Sequence, residues 1–138
     1  MQFSITTVLA FTGLAVALPS NPLFSRDNTC FDGKTPACLR FEIETSLANQ
    51  AITSVCSQVP TCVSGTTYTA VQGKIPGYTA TLTLGNQCAG VTEWSLDACT
   101  QLFWDVLDAA CGHTDGVFHT GYVRSACDDT FVSFNLGG

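Results

Sequence analysis

"SLDACTQLFWDVLDAACG", residues 95 to 112, carries the strongest helical signal in the chain. Cys99, Leu102, Phe103, Val106, Leu107, Ala110 and Cys111 recur every three or four residues, the spacing that lines side chains along one helix face. Ser95 is a good N-cap and Gly112 a good stop, so the stretch predicts a helix over 95–111. On that wheel Asp105 and Asp108 fall on the wet side, as solvated carboxylates.

Outward from this helix the apolar period changes to two. "YTATLTL" (78–84) sets Tyr78, Ala80, Leu82 and Leu84 against threonines, and with "TTYTAVQ" (66–72) it reads as a hairpin joined through Lys74-Ile75-Pro76-Gly77. "GVFHTGYVR" and "TFVSFNL" read as a second hairpin whose turn holds Cys127, Asp128 and Asp129. Alternation there places His119 with Val117 and Val123, opposite Phe118 and Tyr122. Near the start, "CLRFEIE" (38–44) alternates Leu39, Phe41 and Ile43 with Arg40, Glu42 and Glu44, which predicts a strand with one wet face. A second helical stripe follows, Leu47, Ala48, Ala51, Ile52, Val55 and Cys56, which Pro60 must end. The order strand, helix, two strands, helix, two strands predicts an α+β domain with a largely antiparallel sheet and two helices packed on one face.

Residues 1–17 read as a secretory signal peptide, because an apolar run ends in Ala15-Val16-Ala17 and is too short to span a membrane. Residues 18–26 read as a pro-segment, which leaves 27–138 as a single disulfide-rich domain. The expected location is therefore extracellular. All eight cysteines, Cys30, Cys38, Cys56, Cys62, Cys88, Cys99, Cys111 and Cys127, lie in that domain, and an even count in a small secreted chain predicts four disulfides of undetermined pairing. No C-x-x-C pair is present, which argues against zinc. Cys56 and Cys111 are each expected to tie a helix end to the sheet or to the N-terminal segment. The net charge of −6, one unit lower once Arg26 is removed, argues against a nucleic-acid partner. No cofactor is expected.

His113-x-Asp115-x-x-x-His119 has the residue types of a metal site. The loop after the helix accounts for two of the three, since His113 complements the helix dipole and Asp115-Gly116 makes a turn. The two histidines are thus expected to act separately. Glu93-Trp94 and His119-Thr120-Gly121 are similar to the fungal guanyl-specific ribonucleases, and that resemblance implies Glu93 as general base and His119 as general acid. The chain departs from that family in having no histidine before Glu93 and no arginine between Glu93 and His119. Trp94, Trp104 and Tyr122 are the candidate binding residues, because exposed aromatics stack on sugars and anchor protein contacts.

The leader "MQFSITTVLAFTGLAVALPS", the helix "DACTQLFWDVLDAACG" and the ending "FVSFNLGG" together resemble the small secreted cysteine-rich proteins of filamentous fungi, above all the killer-toxin-like group, with small fungal glycan-binding proteins as a second candidate. The resemblance implies a secreted effector or toxin that binds a host or competitor cell surface, a wall glycan or an extracellular protein. The competing class is a secreted enzyme, ribonuclease-like or glycan-cleaving, that uses Glu93 and His119.

Overall fold

The computed structural model describes residue 31 and residues 36–137. The segments expected as signal peptide and pro-segment, with Cys30, lie outside the described residues. Strand β1 (Ala37–Glu44) runs directly into helix α1 (Thr45–Cys56). The hairpin β2 (Val71–Ile75) and β3 (Tyr78–Thr83) follows, then a short 3-10 turn (Cys88–Gly90). Helix α2 (Leu96–Gln101) continues as a π-helix (Leu102–Asp108) before β4 (Val117–Arg124) and β5 (Phe131–Leu136). The five strands form one sheet in the order β1-β4-β5-β3-β2, and every pairing is antiparallel. The domain is α+β, with α1 against β2 and β3, the π-helix against β4 and β5, and the two helices in contact.

The apolar stripes do what their spacing demands. Ala48, Ala51, Ile52, Val55 and Cys56 are buried on α1, and Ala80 and Leu82 on β3. Phe118 sits at the centre, 4.9 Å from Phe134 and edge-on to Trp104 at 4.8 Å, distances at which aromatic pairs contribute beyond their buried area. The hairpin turn comes later than its threonines suggest: Ile75 pairs with Tyr78 around Pro76-Gly77, so the strand begins at Val71 and residues 66–70 are loop. Gly73 is required here. A Cβ at that position would lie 2.1 Å from the Ala51 carbonyl oxygen and 2.9 Å from the Val55 nitrogen, so α1 rests on the strand backbone itself.

Three expectations need correction. The helix is capped by Ser95, whose hydroxyl accepts from the Ala98 N–H, but its second half is wound as a π-helix. Hydrogen bonding from i to i+5 stacks residues five apart, so Leu102 and Leu107, and Phe103 and Asp108, are all fully buried while Ala110 is exposed. Asp108 is therefore inside the protein and off the wet side. Strand β1 also fails to alternate, for Cys38 pairs with Gly121 and Glu42 with His119, so β1 takes four steps where β4 takes two. Arg40 occupies the left-handed region at φ 60° in this bulge, and Leu39 and Phe41 face solvent. Opposite the bulge β4 changes phase: Phe118, Thr120, Gly121 and Val123 are all buried and Tyr122 is exposed, which breaks the grouping that strict alternation assigns.

Cysteine pairing is the other matter that spacing left open. Cys38 pairs with Cys111, Cys56 with Cys99 and Cys62 with Cys88. Cys127 is also disulfide-bonded, and no described cysteine is free. Cys111 ties a helix end to the sheet, as expected, whereas Cys56 ties one helix to the other. The Cys38–Cys111 bridge closes a loop of 73 residues, for which the chain-entropy model gives about 4 kcal/mol of stabilisation. Asp128 is a further staple. It accepts from the Thr130 N–H (3.0 Å), the Thr130 hydroxyl (2.9 Å) and the Ala89 N–H (2.8 Å), joining the β4–β5 turn to the 3-10 turn. Burial alone would raise its pKa, but these donors and the Ser125 hydroxyl outweigh it and hold the carboxyl below the ordinary carboxylate range.

Candidate functional site

Asp108 organises the one charged cluster that the fold brings together from distant parts of the described chain. The π-helix turns its carboxylate inward onto β4, where Oδ1 accepts from the His119 backbone N–H and from His119 Nδ1, both at 2.8 Å. Oδ2 meets His113 Nδ1 from the loop that follows the helix. A buried carboxylate left unpaired would cost several kcal/mol, so the two imidazoles and the amide are what make its position tolerable. Both histidines share this carboxylate, which corrects the expectation that they act separately. Asp115, fully exposed in the turn, reaches only His113 Nε2, at 3.3 Å.

His119 is the inner member, its side chain 12% exposed. Bonding of Nδ1 to Asp108 fixes the ring orientation and, in the neutral form, assigns the proton to Nδ1, leaving Nε2 free to accept. Nε2 lies 3.4 Å from Glu42 Oε1, at the far end of the β1 bulge. Between bulge and strand is a pocket of about 290 Å³, lined by Cys38, Arg40, Glu42, Cys111, His119 and Thr120. The Thr120 hydroxyl donates to the Phe41 carbonyl at 2.9 Å and pins the bulge to β4. Gly121 lets β4 approach β1 and the disulfide closely, because a Cβ there would meet the Ala37 oxygen at 2.5 Å and the Cys111 sulfur at 3.3 Å. The arrangement can exchange a proton through an oriented imidazole beside a carboxylate and a guanidinium. Among the described residues, no three His, Cys, Asp or Glu side chains are placed to hold a metal ion.

His113 is half exposed, at 53% of its side chain. The hydrogen bond to Asp108 raises its pKa above the ordinary 6.5, burial works against this, and the charges of Asp108 and Asp115 with the Asp115 hydrogen bond add to the rise. A raised folded value stabilises the fold fully below 6.5 and loses that contribution as pH rises through the folded value. The stability gap between wild type and His113→Ala is therefore expected to narrow between about pH 5 and about pH 9, measured by urea denaturation across that range. A gap that widens with pH contradicts the assignment.

The candidates expected from sequence separate in space. Glu93 is exposed in the turn before α2, and the carboxylates that touch His119 are Asp108 and Glu42. Trp94 is half-buried and donates its indole N–H to the Val59 carbonyl at 2.8 Å. Trp104, also half-buried, donates to Asn49 Oδ1 at 2.9 Å. Tyr122 alone of the three is exposed, at 42%, beside Phe131, whose ring lies under the Arg124 guanidinium at 5.0 Å. Arg40, Glu42 and Asp108 escaped sequence reasoning: the first two read as the wet face of a regular strand, and the third as the wet side of a regular helix. Comparison of the chain with protein-family models, curated proteins and solved structures finds no match.

Proposed function

We propose that the chain is a secreted, cysteine-rich effector or toxin-like protein that acts by binding an extracellular protein of a host or competitor cell. One observation carries this reading. The bulged edge strand β1 holds Leu39 and Phe41 in solvent, 37% and 50% exposed, on either side of Arg40 and next to the His119 pocket. Apolar side chains on a sheet edge are an aggregation liability that folds ordinarily suppress, so their display around two charges fits an anchor pair with a polar rim. Trp94 and Trp104, on which a glycan reading leaned, are both half-buried against the core and offer less open ring face for a sugar, and this favours protein over glycan. The leader directs secretion, the helices cover one face, and four disulfides make the domain a rigid presenter for the bulge. The resemblance to killer-toxin-like proteins supports the same class.

The test is saturable binding of labelled folded protein to intact host or competitor cells. Phe41→Ser and Leu39→Ser are expected to abolish binding with an unchanged melting temperature, Trp104→Phe is expected to be silent, and protease treatment of the cells is expected to remove the sites. Binding removed by glycosidases and spared by proteases overturns the protein target. Cleavage of RNA or of a glycan that is lost in His119→Ala overturns the binding reading in favour of an enzyme.

A further inference from the structure

We infer that Cys38–Cys111 is a thiol-exchange site, open to attack by a small-molecule thiolate at Cys38. The three disulfides that join described residues are not equally accessible. Cys56 and Cys99 are fully buried and Cys88 nearly so, Cys62 and Cys111 are both half-buried against the core, and Cys38 is the one exposed sulfur-bearing residue of these three bridges. The exposed bridge lines the pocket of about 290 Å³ whose other walls are Arg40, Glu42, His119 and Thr120. That volume admits a small thiol, and exposed disulfides are the ones that exchange. Arg40, in the left-handed bulge, lines the same pocket, and a cation near a disulfide favours both an incoming thiolate and a departing one.

The step balances as a simple displacement. The thiolate sulfur forms a bond to Cys38 Sγ, the electron pair of the Cys38–Cys111 bond passes to Cys111 Sγ, and Cys111 leaves as a thiolate. The products are a mixed disulfide at Cys38 and a Cys111 thiolate, which lies in the pocket that Arg40 also lines and takes a proton from water. Opening this bridge need not open the fold. Asp108 still holds the helix end to β4 through His119, β1 stays paired at Glu42, Ile43 and Glu44, and the Thr120–Phe41 hydrogen bond is untouched. The inference is independent of what binds at Leu39 and Phe41.

Reduced glutathione at millimolar concentration is the probe, with the folded protein under native conditions, acid quenching, alkylation and peptide mass spectrometry over time. The expected result is glutathione on Cys38 and alkylated Cys111 at least about tenfold sooner than modification of Cys56, Cys62, Cys88 or Cys99. Arg40→Gln is expected to slow that phase about tenfold. The double variant Cys38→Ser, Cys111→Ser is expected to keep its near-ultraviolet dichroism. Among the six cysteines of these three bridges, simultaneous labelling or glutathione first on any but Cys38 overturns the inference, as does an unchanged rate in Arg40→Gln or an unfolded double variant.

Discussion

Gly73→Ala is expected to lower the melting temperature by at least about 12 °C, the equivalent of about 3 kcal/mol at about 4 °C per kcal/mol for a domain of this size. The reason is geometric. The added methyl would sit 2.1 Å from the carbonyl oxygen of Ala51 and 2.9 Å from the Val55 nitrogen. Both are backbone atoms of α1, so no rotamer change relieves the overlap, and the helix must lift from the strand. Lifting it loosens Ala51, Ile52 and Val55, all fully buried, so the loss of packing adds to the strain. Calorimetry on Gly73→Ala beside Gln72→Ala, an exposed neighbour on the same strand, separates this contact from strand propensity. Equal melting temperatures for the two would mean that α1 does not rest on β2 in this way.

Asp108→Asn has the second large effect expected, a loss of about 3 kcal/mol, because removing one partner from a buried charged cluster leaves the rest uncompensated. The amide has nearly the same shape but only one accepting oxygen. With its NH₂ toward His119 two donors face a donor, and with its NH₂ toward the half-exposed His113 the negative charge that both imidazoles bond is still gone. Urea denaturation measures the loss, and a double-mutant cycle with His119→Ala is expected to return a coupling of at least about 1 kcal/mol. The experiment also separates two accounts of the helix. A solvated Asp108 on a regular α-helix would tolerate asparagine within about 0.5 kcal/mol.

The comparison of residues 38–44 with residues 78–83 shows how far local pattern carries. Both segments alternate, and both are strands. Tyr78, Ala80 and Leu82 keep their phase because β3 is paired on both edges, with β2 and with β5, and each partner enforces the pleat. β1 is an edge strand paired only with β4, so it is free to bulge, and Leu39 and Phe41 leave the core that their alternation promised. Ser95 was legible as a cap because a cap is made by the side chain and the N–H three residues on, a wholly local event. The π-helix was not legible, since "LFWDVLD" satisfies a helical stripe whether the turns hold four residues or five.

Apolar periodicity and capping chemistry determined, by themselves, the order of strands and helices and the two hairpins, because each rests on neighbours a few residues apart, though not the start of β2 or the π winding. The eight cysteines likewise announced a stapled domain without naming the pairs. Tertiary structure alone decided which side chains meet. The second half of the second helix packs on β4 and β5 in the wider winding, which turns Asp108 from water onto His119. The β1 bulge then carries Arg40, Glu42 and Cys38 to the same place. These are angular outcomes of contacts between segments far apart in the chain, and no local spacing encodes an angle that only the partner surface imposes.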